Sequence, residues 1–127
     1  MPETYVIDTF AWIEYFQGTE RGRRALEYIE GSGAVTPSIV IAEIVDKYTR
    51  EKLDARDRLK FVRTKSMIMD LDDETAEAAG AISATRRRQV PGWGLVDSIV
   101  LAAARTKGGK VVTGDAHFRG LDETVSI

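Results

Sequence analysis

The sequence predicts an α/β protein: an α/β/α sandwich on a central, mainly parallel sheet of four to five strands. Two observations carry this. Short, mostly β-branched or apolar runs recur along the 127 residues without polar alternation, as strands buried on both faces require. Between them lie longer stretches with helical period, and strands alternating with helices build parallel sheets through right-handed crossovers. A third observation points to a site. The first run, Thr4-Tyr5-Val6-Ile7, ends abruptly in Asp8 and Thr9, and open α/β sheets bind ligands at the carboxyl ends of their strands.

The elements follow in order. Thr9 is the expected N-cap of a helix over about Phe10–Phe16, with Gly18 as its stop. A second helix covers about Glu20–Glu30, with Leu26 and Ile29 inward and Arg21, Arg23 and Arg24 solvated. Gly31-Ser32-Gly33 turns the chain into the strand Ala34–Thr36. Ser38 is the expected N-cap of a helix whose period is carried by Ile41, Ile44, Val45 and Tyr48, with Glu43 in its first turns. Asp54–Lys65 reads as a further helix with Leu59 and Val62 inward, and Ser66–Leu71 contains a third strand. Asp72-Asp73-Glu74 suits the N-terminus of a helix running to about Arg88, because the macrodipole favours acid there and the arginines at the far end. After the loop Val90–Gly94, the apolar helix Leu95–Lys107 carries Asp97 in its first turn and stops at Gly108-Gly109. Lys110–Thr113 is a fourth strand, Gly114–Phe118 a turn, and Thr124–Ile127 a fifth, edge strand.

Residues 1–127 suit one domain with a real core. The formal net charge of -2 gives no global field for nucleic acid, so such binding must rest on a local patch. The chain has no cysteine and a single histidine, His117. That excludes thiol nucleophiles, thiolate zinc, disulfides and multi-histidine metal sites. Carboxylate remains, and it suits magnesium or manganese. No run reaches the roughly 18 apolar residues of a membrane span and no signal-peptide pattern opens the chain, so the expectation is a cytoplasmic protein with no membrane partner.

Four acids hold comparable places. Asp8 and Asp115 follow strands, and Glu43 and Asp97 sit near the starts of helices. In a parallel sheet these places share one edge, so the four can converge, and converging acids raise one another's pKa values. Asp97 stands out: a lone acid in Leu95–Ala102 is costly unless something pairs with it. Singly, each acid also reads as a helix cap, dipole partner or turn residue. Arg86-Arg87-Arg88 reads as a solvated helix end, with RNA contact as the minority reading, and His117 as a hydrogen-bonded turn residue more than a ligand. Trp93 either stacks on a base or plugs the core. Trp12, Tyr15 and Phe16 either belong to the core or line a groove for an amphipathic helix.

Asp8-Thr9, Glu43 in Ser38–Glu43, Asp97 in the apolar helix and Thr113-Gly114-Asp115-Ala116-His117-Phe118 together resemble the PIN-domain ribonucleases. More closely, they resemble the VapC-type toxins of toxin–antitoxin pairs. The resemblance spans nearly the whole chain. It implies a PIN-like fold, hydrolysis of single-stranded or looped RNA with Mg2+ or Mn2+, a homodimer and a small antitoxin partner. It also implies that Asp8, Glu43, Asp97 and Asp115 are the metal-binding, catalytic acids and that Thr113 is a supporting hydroxyl. Many relatives carry a hydroxyl two residues after the first acid, where this chain has Phe10, which leaves Thr9 as the nearby one. In a site for two ions about 3.5–4 Å apart, Asp8 and Asp97 are expected to bind the principal ion. Glu43 would bind or activate the attacking water, and Asp115 would help hold the second ion. Two other readings stand beside this one. The chain can be a non-catalytic RNA- or protein-binding module on the same fold. It can also be a magnesium phosphatase with Asp8 as nucleophile, although such enzymes usually need a second acid where Phe10 stands.

Overall fold

The computed structural model describes residues 3–127. Five strands, β1 (Tyr5–Ile7), β2 (Ala34–Pro37), β3 (Met67–Met69), β4 (Lys110–Thr113) and β5 (Thr124–Ser126), form one sheet in the order β3-β2-β1-β4-β5. Every neighbouring pair is parallel, so the fifth strand forms and the sheet is wholly parallel. Val6, Ile7, Val111 and Val112 are fully buried, as central strands covered on both faces should be. Met67 is 65% exposed because β3 is an edge.

Helices α1 (Thr9–Gln17) and α2 (Glu20–Ile29) join β1 to β2, and α3 (Ser38–Arg50) and α4 (Arg56–Lys65) join β2 to β3. Helices α5 (Asp73–Arg86) and α6 (Leu95–Lys107) then carry the chain back past β1 to β4. The direction of travel reverses, so right-handed crossovers place α1 to α4 on one face and α5 and α6 on the other. Trp12, Ile29, Val40 and Ile44 fill the first layer, and Val100, Leu101 and Ala104 the second. All seven residues from Ser98 to Ala104 are buried, which explains why α6 reads as almost uniformly apolar. A single 3-10 turn, Ala116–Phe118, leads toward β5. No helix among the described residues is long and apolar enough to cross a membrane.

Several element ends differ from expectation for local reasons. Helix α1 begins at Thr9, and Asp8 is its N-cap, accepting from the Thr9 N–H. Thr9 is therefore free to bond elsewhere. Pro37, not Ser38, holds the N-cap position of α3, without a side-chain cap. Asp54 accepts from the Arg56 N–H and guanidinium, so it forms the turn before α4 and not its first residue. Helix α5 ends at Arg86, and Arg87 and Arg88 lie in the turn that follows. Leu26 is 44% exposed and Val45 38%, not inward, because Gly22, Ala25 and Ile29 take the buried stripe of α2 and Val40 and Ile44 that of α3. Gly22 is where α1 and α2 touch: a Cβ there would strike the Glu14 carbonyl and lie 2.7 Å from the Tyr15 Cα.

Candidate functional site

The chain leaves β1 toward β2 on one side and returns to β4 on the other, so a crevice opens at the carboxyl ends between β1 and β4. Asp8 follows β1 and Thr113 ends β4. The Thr113 hydroxyl donates to Asp8 Oδ2 at 2.8 Å across this junction. Asp8 Oδ1 takes the Thr9 N–H at 2.8 Å. Thr113 Oγ1 in turn accepts from the Asp115 N–H at 3.0 Å, and Asp115 Oδ1 from the His117 N–H at 2.9 Å. From the α3 side, Glu43 Oε1 accepts from the Thr9 hydroxyl at 2.5 Å. Asp97 reaches back one turn of α6 to accept from the Gly94 N–H at 3.1 Å.

Asp8, Glu43, Asp97 and Asp115 thus line one cleft of about 410 Å³, together with Thr9, Phe10 and Lys47. The structure brings the four sequence-predicted acids together, and both threonines bond to one of them. Asp97 is also the helix cap of its ordinary reading, so the two readings coexist in one side chain. The cost of its burial is offset by the Gly94 N–H and by His117 Nδ1, 3.1 Å from its Oδ2.

Burial pushes the Asp8 carboxyl up to about 7 from its ordinary 3.8. The Thr113 and Thr9 bonds pull it down, and the Glu43 and Asp97 charges add a smaller rise. Glu43 is raised as well, again chiefly by burial, then by the neighbouring Asp97, Asp46 and Asp115, against the lowering bond from Thr9. The mutual repulsion expected from the sequence is present at both acids, but desolvation exceeds it. A buried acid held near neutrality among other acids is what a divalent cation would relieve, so the donor set fits one.

His117 is the hydrogen-bonded turn residue the sequence suggested, and its ring also meets two of these acids. Its Nδ1 is 3.1 Å from Asp97 and 3.6 Å from Asp115, and one donor atom from each of the three residues lies within 4.8 Å of the others. The usable signal was its place two residues after Asp115 in a tight turn. Arg86 is not solvated. Its guanidinium stacks 4.4 Å over the Trp93 ring, its Nη2 donates to the His117 carbonyl at 3.1 Å, and its Nε is buried without a partner. Trp93 is 4% exposed, donates to Ser98 Oγ at 2.7 Å and packs on Phe118, so it plugs the core and is closed to base stacking.

The α1 aromatics divide. Trp12 is fully buried and donates to Thr36, so it belongs to the core. Tyr15 and Phe16, with Leu26 and Phe61, line an apolar groove of about 460 Å³ whose charged lining is Arg23, Arg58 and Asp57.

A family model described as PIN domain matches residues 5–123. No curated protein matches the sequence. Several solved structures share the fold. A toxin–antitoxin complex from Klebsiella pneumoniae aligns with TM-score 0.76 at 22% identity, covering 97% of each chain. VapBC2 from Rickettsia felis, bound to a DNA fragment from their promoter, aligns with TM-score 0.74 at 15% identity, over 98% of this chain and 97% of that one. VapC20 from Mycobacterium tuberculosis, described as a toxin that cleaves the sarcin–ricin loop, aligns with TM-score 0.77 at 17% identity over 98% of each.

Proposed function

The chain belongs to the PIN-domain family, and from that premise we propose that it is a metal-dependent endoribonuclease, the toxin of a toxin–antitoxin pair. The observation that carries the reading is the convergence of Asp8, Glu43, Asp97 and Asp115 on one cleft at the crevice beside β1. In this reading Asp8 and Asp97 hold the principal cation, and Asp115 contributes to a second. A magnesium or manganese ion held there supplies Lewis acidity at the phosphodiester and positive charge against the RNA backbone. Glu43, fixed by the Thr9 hydroxyl, orients water or takes its proton. Thr113 holds Asp8 facing the cleft through their mutual bond. Lys47, on the cleft wall and paired with Glu51 at 2.8 Å, offers a phosphate a cationic partner if it turns from that pair.

The test is cleavage of single-stranded and stem–loop RNA by the purified chain. Cleavage is expected with magnesium or manganese and lost with chelator, and Asp115→Asn should lower its rate roughly 100-fold or more. Activity unchanged by chelation would sink the metal mechanism. RNA binding without cleavage under any divalent ion would favour the non-catalytic module.

The proposed partner is a small antitoxin. The support for it is the groove beside Tyr15, Phe16 and Phe61, whose apolar floor and flanking Arg23 and Arg58 suit an amphipathic helix with acidic flanks. Tyr15→Asp, in a protein shown to be folded, should weaken that complex at least roughly tenfold, the loss expected when an aromatic anchor is removed. Intact binding would place the partner elsewhere. The proposal includes a homodimer, which sedimentation of the purified chain checks.

A further inference from the structure

We propose that His117 donates an imidazole nitrogen to the second cation, the one to which Asp115 contributes and which Asp97 would share with the first, and that this donor tilts that position from magnesium toward first-row transition ions. The inference rests on the metal-dependent reading above. An imidazole that only steadied Asp97 would need to meet one carboxylate. This one turns Nδ1 toward two, at 3.1 Å and 3.6 Å, one at the start of α6 and the other just after β4.

The ring is also held there. The His117 N–H bonds to Asp115 Oδ1, and its carbonyl takes the Arg86 guanidinium. Behind the ring runs the Gly92 backbone, at φ +83°, where a Cβ would lie 3.0 Å from Nε2. Arg86 and Trp93, stacked on each other, support that loop and turn from below. The ring therefore has little freedom to swing from the acids. Without a cation, an Nδ1–H can donate to Asp97. With one, the tautomer that carries its proton on Nε2 would turn the Nδ1 lone pair to the ion. Imidazole favours the later first-row ions, whereas magnesium prefers oxygen donors alone.

His117 is the only histidine in the chain, which makes the test unambiguous. Chelator-stripped full chain, His117→Gln and His117→Asp are titrated with manganese, cobalt and magnesium by calorimetry. The manganese forms are then examined by pulsed electron paramagnetic resonance for coupling to an imidazole nitrogen. The parent should show that coupling and both variants should lack it. His117→Gln should lose at least roughly tenfold in manganese and cobalt affinity, the loss typical of removing even an outer partner of a ligand, and clearly less for magnesium. His117→Asp should restore magnesium binding without the cobalt preference. Manganese bound to the parent without nitrogen coupling, or affinities for all three ions falling in step, overturns the proposal and leaves His117 as a positioning residue. A parent that binds no divalent ion overturns this proposal and the metal-dependent reading together.

Discussion

At Asp8 a carboxylate that is 7% exposed faces Glu43 and Asp97, and without a cation its pKa is pushed up to about 7, largely by burial. An acid raised from 3.8 binds more protons folded than unfolded. Its contribution to stability is thus fully present below 3.8 and is lost as pH rises through about 7. Metal-free parent should lose stability across that window by up to about 4 kcal/mol on this account, and Asp8→Asn should flatten the loss. Melting temperatures in chelator between pH 5 and 8 check this, and parallel profiles for the two proteins would refute it. Added magnesium should restore the parent more than the variant, since a ligand stabilises the state that binds it. A second contrast concerns neighbouring arginines. Arg86→Ala removes a stack on Trp93 and a bond to the His117 carbonyl, so urea unfolding should show a loss of about 2 kcal/mol. Arg87→Ala, exposed in the turn, should stay within about 0.5 kcal/mol. The acids were legible because topology alone sends strand ends and helix starts to one edge. Arg86 and His117 were not, because their roles depend on where a turn aims a side chain.

Helix α2 lies against α1 because Gly22 has no side chain. Overpacking of this kind costs about 1–3 kcal/mol, and here the obstacle is backbone. Gly22→Ala should therefore destabilise by an amount near the top of that range, read by denaturant titration, and should reshape the groove that Gly22 lines between Tyr15 and Leu26. An unchanged midpoint would mean the two helices separate freely. The existence and type of every strand and α-helix could be read from period and punctuation. The ends were harder, since they turned on competition between neighbours for one N–H: Asp8 over Thr9, Pro37 over Ser38, Asp54 before α4. The inward faces of α2 and α3 slipped for a related reason. Small residues such as Gly22 and Ala25 mark close helix contact, yet they weigh little in a hydrophobic pattern.

Alternation of strands and helices announced a parallel sheet, but the strand order came only from the structure. Nothing in a run such as Val111-Val112 says that it pairs with β1, where Val6, the partner of Val111, lies 105 residues upstream. That pairing has a consequence for the protein's birth. Threonine 113 closes the acidic corner on Asp8 across 105 positions, and β1 is flanked on that side by a strand that is translated late. A nascent chain that has emerged only through α4 lacks Asp115, Thr113 and the wall they form. On the proposed reading, the order of synthesis withholds cleavage until β4 has been made. A released chain ending at Lys107 is expected to show no cleavage and weakened cation binding, and mixing it with a peptide of residues 108–127 should restore some of both. Cleavage by the truncated chain alone would mean that the corner does not depend on its last strands.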